Sequence, residues 1–123
     1  MAVSSESGKE KVEIRLDDLL LIKSIDNYVE IYMADEDQVK MMMLRSSLSR
    51  IERDLKDHLF VFKCHRAFLV NVNAISRVIG NSQGYKLLFK GIEFAVPVSR
   101  KTSKDLFKLI TRPQAGRIPP RIN

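Results

Sequence analysis

Residues 28–44 read YVEIYMADEDQVKMMML, and their periodicity decides the fold class. Over residues 28–33 the apolar positions alternate, with Val29, Ile31 and Met33 on one face and Tyr28, Glu30 and Tyr32 on the other. A period of two is that of a β-strand, because successive side chains leave the pleated backbone on opposite sides. Asp35, Glu36 and Asp37 then have the composition of a turn, and Gln38–Leu44 reads as the return strand of a hairpin.

The same period extends outward. Upstream, residues 11–16 (KVEIRL) alternate, and residues 20–25 continue an apolar run after a turn at Asp17 and Asp18. Downstream, the pattern changes at Arg45, Ser46 and Ser47. Leu48, Ile51 and Leu55 recur at helical spacing with Arg50, Arg53, Asp54 and Lys56 outside, and Ser46 or Ser47 can cap the start. Strands resume at residues 60–65 and 67–72. Two more, at 75–79 and 85–89, flank the loop GNSQG (80–84). After a tight turn at Lys90 and Gly91, Ile92, Phe94, Val96 and Val98 share one face of a last strand. Ser99 can cap a final helical stretch with Leu106, Phe107 and Ile110 inward. The expected architecture is largely antiparallel β, with one clear helix in the middle and a short one at the end. Residues 1–11 read as a flexible lead-in, 12–111 as one domain and 112–123 (RPQAGRIPPRIN) as a flexible tail.

Composition narrows the function classes. The chain has 123 residues, enough for one domain with a real core. No apolar run exceeds four residues, too few for a membrane-spanning helix, and the polar start lacks the apolar centre of a signal peptide. The single cysteine cannot close an internal disulfide, which suits a reducing compartment and a cytoplasmic location. Net charge is +6 and unevenly spread. Residues 1–40 hold five Lys/Arg against ten Asp/Glu, whereas residues 41–123 hold sixteen against five. That asymmetry points to a polyanionic partner, or more simply to a solvated surface.

Residues 62–71, FKCHRAFLVN, gather the only cysteine, one of two histidines and an arginine. A catalytic Cys–His pair needs both side chains converging, whereas neighbours on a regular strand face opposite ways. Phe62 and Cys64 share a face, so Cys64 belongs in the core. No Gly-x-Ser-x-Gly turn or glycine-rich phosphate loop occurs, and one cysteine with two histidines cannot complete a four-ligand zinc site without a carboxylate. The reading is therefore not an enzyme and expects no cofactor or metal. His58 reads as a surface residue at a helix end. What remains is His65 and Arg66 on an exposed face amid scattered lysines and arginines. Arginine makes paired contacts with guanine edges or phosphates, and histidine can donate to a phosphate.

Four motifs in order, DNYVEIY (26–32), LRSSLSRIE (44–52), FKCHRAFLVN (62–71) and VPVSR (96–100), resemble the LytTR family of bacterial DNA-binding domains. The resemblance covers roughly residues 12–110. It implies an elongated, mostly antiparallel β-sandwich that enters the DNA major groove with loops rather than a recognition helix. It implies contacts at Asn27 and Tyr28, at His65 and Arg66, and at Arg100 with Ser99 and Lys101 beside it. Lys104 and Lys108 are candidates for phosphates, although a solvated helix face explains them equally. Tyr28 also fits a half-buried strand position and Ser99 a helix cap, and Asn71 reads as a turn residue. The implied partner is double-stranded promoter DNA, with repeated sites. The implied role is the output domain of a transcriptional regulator of the two-component response-regulator type. Many relatives join it to a receiver or a membrane sensor, for which this chain has no room, so it reads either as a stand-alone regulator or as a piece of a longer protein. The alternative is a basic β-rich protein- or RNA-interaction module. With only a core-facing stripe on its central helix, the domain is expected to be a monomer in solution that pairs, if at all, on repeated DNA sites.

Overall fold

The computed structural model describes residues 1–111 and 121–122. In chain order, β1 (Ala2–Ser4) pairs antiparallel with β2 (Lys11–Glu13). A 3-10 turn at Leu16–Asp18 leads into β3 (Leu19–Ile25), β4 (Tyr28–Asp35) and β5 (Gln38–Leu44), an antiparallel meander. Helix α1 (Leu48–Asp54) follows, then the hairpin of β6 (Val61–His65) and β7 (Phe68–Asn71). β7 docks on the free side of β3, so the first large sheet has the order β5-β4-β3-β7-β6. β8 (Ile75–Asn81), β9 (Gly84–Phe89) and β10 (Val96–Val98) build a second sheet, and helix α2 (Ser103–Thr111) follows it. β11 (Arg121–Ile122) joins that sheet parallel to β8. Residues 112–120 and 123 of the expected tail lie outside the described residues.

The two sheets face each other across a core of Leu20, Leu21, Phe68, Val70, Val78, Leu87, Val96 and their neighbours, closed at one side by Leu106 and Ile110 of α2. A second core lies on the other face of the five-stranded sheet. There Val29, Ile31, Leu44 and Leu69 pack under Leu48 and Ile51 of α1 and its C-cap Leu55. The fold is the mainly β, antiparallel sandwich with two helices expected from the sequence. The hairpin at residues 28–44 forms as expected, with a turn one residue shorter than read: Asp35 already pairs with Gln38, and Val29 lies opposite Leu44. Ser47 is the cap of α1: its hydroxyl accepts from the Arg50 amide at 3.1 Å.

Three bulges explain where simple alternation fails. Leu19, Leu20, Leu21 and Ile22 are all buried, which a half-exposed strand forbids. The ladder to β4 skips Leu20, so Leu20 and Leu21 both face the sandwich while Leu19 and Ile22 face α1. β8 is likewise irregular between Ile75 and Arg77. The third bulge lies between Lys63 and His65, at Cys64. It sets His65 opposite Phe68, so the expectation that Cys64 and His65 point to opposite faces fails in its strict form. They still form no pair. The Cys64 thiol donates to the Pro97 carbonyl at 3.6 Å, and His65 Nδ1 accepts from the Ala67 amide at 3.1 Å.

Other expectations are corrected. Residues 1–11 are not a loose lead-in. Val3 is fully buried in the core beneath α1, the Ser4 amide donates to Asp54 Oδ2 at 2.8 Å, and Ser46 Oγ donates to the Ser4 carbonyl at 2.8 Å. The loop at 80–84 shrinks to a two-residue turn at Ser82 and Gln83, because Asn81 already pairs with Gly84. Gly80 is required there. Its φ is 97°, and a Cβ would run into the Gly84 carbonyl. The strand expected over residues 92–98 is Val96–Val98 alone, since Ile92 and Phe94 belong to a loop that lays Phe94 edge-on to Tyr32 at 5.5 Å. Ser99 does not cap α2. The helix begins at Ser103, and the Thr102 carbonyl accepts from the Leu106 amide at 2.9 Å. Asn71 is the turn residue expected, its Oδ1 accepting from the Asn73 amide at 3.0 Å at the head of the 3-10 turn Val72–Ala74, and its buried Nδ2 also donates to the carbonyls of Leu16 at 3.2 Å and Leu19 at 2.8 Å.

Candidate nucleic-acid interface

Antiparallel pairing decides which loops meet. β3 ends and β7 begins side by side, with Lys23 opposite Phe68, so the β3–β4 turn and the β6–β7 turn share one pole of the sheet. The Ser24 amide donates to the Ala67 carbonyl at 2.8 Å and ties the two turns together. The β6–β7 turn is tied in the same way to the β10–α2 loop. The Cys64 carbonyl accepts from the Ser99 amide at 2.8 Å and from Thr102 Oγ1 at 2.9 Å. That loop reaches the β8–β9 turn through Arg100, whose Nε and Nη2 donate to the Gln83 carbonyl at 3.3 and 3.1 Å. Four loops thus form one continuous arc. A fifth segment flanks it: Arg45, just past β5, lies over the Tyr28 ring at 5.9 Å from guanidinium carbon to centroid.

The expected site residues fall on this arc. Asn27 is exposed in the β3–β4 turn beside Asp26, which adopts a φ of 51°. Tyr28 begins β4 and is 40% exposed, so it is a pole residue rather than a half-buried one. Arg66 is exposed in the β6–β7 turn, and His65 is half-buried against Phe68. With Nδ1 accepting from Ala67, the neutral His65 ring carries its proton on Nε2, which is left as a donor. Arg100 and Lys101 are exposed, and Ser99 is half-buried with its hydroxyl 2.9 Å from Thr102 Oγ1. Lys104 is exposed on the first turn of α2, next to the arc. Lys108, one turn further on, instead lines an apolar groove with Leu55, His58, Leu59 and Phe62.

Electrostatically, the arc holds its charges in reserve. Among the described residues, ion pairs join only the N-terminus to Glu13 and Arg15 to Asp18. Arg45, Arg66, Arg100, Lys101 and Lys104 therefore have no carboxylate partner. The arc is not uniformly basic, since Glu6 and Asp26 line a cleft with Asn27, Arg45, Ser46 and Ser47. Arg100 is the best organised cation. Its bond to Gln83 uses Nε and one Nη2 hydrogen, leaving the end of the fork free for a pair of acceptors. Sequence reasoning missed Arg45 and the Asn81–Gln83 turn as members of the arc. Arg45 stood within a quoted motif, but nothing in its spacing reports the ring beneath it.

Cys64 takes no part in surface chemistry. Burial pushes its thiol from 9.0 up to about 12, so it stays protonated and unreactive near neutrality. No helix among the described residues is long and apolar enough to cross a membrane.

The sequence model of the LytTr DNA-binding domain matches residues 9–111. Among solved structures, the fold is similar to the LytTr DNA-binding domain of a Bacillus cereus protein described as a methyl-accepting/DNA response regulator. The TM-score is 0.58 at 21% identity, over 91% of this chain and 96% of that one. A search of curated proteins gives no match. With most of its length matched, the chain belongs to the LytTr DNA-binding domain family.

Proposed function

We propose that this chain binds double-stranded promoter DNA in a sequence-specific manner, as the output domain of a cytoplasmic transcriptional regulator of the response-regulator type. Loops at Asn27 and Tyr28, at His65 and Arg66, and at Ser99, Arg100 and Lys101 enter the major groove, and Lys104 rests on a flanking phosphate. Residues 12–111 carry this activity with β1 completing their core, and the receiver or sensor domain lies outside this chain. The observation that carries the reading is the arc: hydrogen bonds fix four loops to one another while their cations have no carboxylate partner. Guanidinium groups free to make paired contacts suit guanine edges. Ammonium groups at the rim suit phosphates, which position the protein without reading sequence.

An RNA-binding module is less well supported. It needs exposed aromatics at strand centres for stacking. Tyr32 and Tyr85 instead pack edge-on against Phe94 and Phe107, which leaves Tyr28 alone.

The test begins with selection of binding sites from random duplex DNA. On the selected site, Arg100→Ala should cost about 1–3 kcal/mol and relax preference at one base position, leaving non-specific affinity nearly intact. Lys104→Ala should weaken all duplexes alike and reduce the salt slope by about one unit. Unchanged binding of Arg100→Ala to the selected site would remove Arg100 as a reader.

A further inference from the structure

The five-stranded sheet ends in an edge that the DNA reading leaves unused. β5 lies outermost, and among the described residues it pairs with β4 alone. It runs seven residues, QVKMMML, with no bulge in its ladder and no proline. Such an edge offers a row of free amides and carbonyls to another strand. Beside the exposed Gln38 and Lys40, two of its large apolar side chains reach water: Met41 is 43% exposed and Met43 52%. Both lie on the face of Glu30 and Tyr32, their partners across the ladder.

We propose that β5 is a self-pairing edge, through which two copies of this chain form an antiparallel, two-fold symmetric dimer. The charge pattern selects that occupant and that direction. An acidic turn, Glu36 and Asp37, precedes β5, and Arg45 follows it, with no carboxylate partner for Arg45 among the described residues. When Met41 of one copy faces Met41 of the other, antiparallel pairing brings Asp37 of each opposite Arg45 of its mate. Opposite residues of an antiparallel pair share a face, so both charge pairs and all four exposed methionines, Met41 and Met43 of each copy, gather on one side of the joined sheet. A parallel pairing in register would set Asp37 against Asp37 and Arg45 against Arg45. Self-complementarity under a two-fold axis is the mark of an isologous interface. Lys40, the one lysine of the strand, lies on the other face. There it meets Met42 of the mate and can lay its stem along that side chain. A monomer is expected when helix faces alone are weighed, and the β5 edge changes that expectation.

Sedimentation of the 123-residue chain from micromolar to millimolar concentration, without DNA, tests the dimer. A reversible monomer–dimer equilibrium is expected, with slowed amide exchange at alternate β5 residues in the dimer. Met41→Lys should abolish it. Asp37→Arg and Arg45→Asp should each weaken it by roughly tenfold, since either reversal sets like charges together at both ends. The double reversal should restore it, and that recovery also controls for damage to the fold. A chain that stays monomeric throughout overturns the proposal, as does a dimer indifferent to Met41→Lys or to the charge reversals.

Discussion

At the scale of single residues, the structure separates side chains that read from side chains that hold. Arg100 depends on a carbonyl it cannot choose. Gln83 offers that carbonyl because its amide donates to Asn81 Oδ1 at 2.8 Å, which shapes the turn. Asn81→Ala should therefore lower specific DNA affinity severalfold without altering the salt slope, while Asn81→Ser, whose hydroxyl can accept from the same amide without adding charge, should retain most of it. Equal losses in both variants would place Asn81 at the DNA itself. Cys64 and Tyr32 govern behaviour in alkali. Burial raises the Tyr32 hydroxyl from 10.0 to about 12, aided by its bond to Glu30 and by the charge there, as burial alone raises the Cys64 thiol. The unfolded groups ionise first, so the unfolded chain holds fewer protons and stability falls as pH rises from about 9 towards 12. Urea midpoints measured across that range should fall more gently for Cys64→Ser, which removes the thiol at a cost of about 1–2 kcal/mol near neutrality. Rapid labelling of native Cys64 by a thiol reagent would contradict its burial.

At the scale of elements, legibility followed regularity. The 28–44 hairpin was plain because its alternation is unbroken and its turn acidic. Helix α1 was plain because Leu48, Ile51 and Leu55 keep helical spacing behind a serine cap. The bulges at Leu20 and Cys64 were not legible: one inserted residue changes the parity of everything after it, and composition does not mark the insertion. The 92–98 stretch alternates like a strand but follows Phe94 into a ring contact, where tertiary packing outweighs the local pattern. β1 escaped notice because a single valine among serines carries no period. Its weight is nonetheless testable. Val3 is fully buried against the α1 core and lies before the family match at residues 9–111. Val3→Ala should cost about 2 kcal/mol, and Val3→Asp more, in equilibrium urea unfolding. A variant as stable as the parent would return residues 1–11 to the status of a loose lead-in.

At the scale of the molecule, the reading arc and the β5 edge constrain each other. β5 begins at the acidic Glu36 and Asp37 turn and ends at Leu44, beside the arc. An antiparallel dimer therefore directs the two arcs to opposite ends of the joined sheet. Two such arcs do not reach adjacent sites on one straight duplex, but they suit two separate segments of DNA. The dimer should consequently bridge. A duplex fixed to beads should retain a second, labelled duplex when the protein is present at concentrations where it dimerises. Met41→Lys should still bind each duplex singly and retain none, because Met41 lies in the middle of β5, three residues short of its Leu44 end beside the arc. Arg100→Ala should dimerise normally yet lose retention of specific duplexes, because it spoils reading and leaves β5 intact. The two variants fail for different reasons, so binding and assembly are assessed separately. If the parent is dimeric on DNA and still holds no second duplex, the arcs do not diverge, and antiparallel pairing through β5 is wrong.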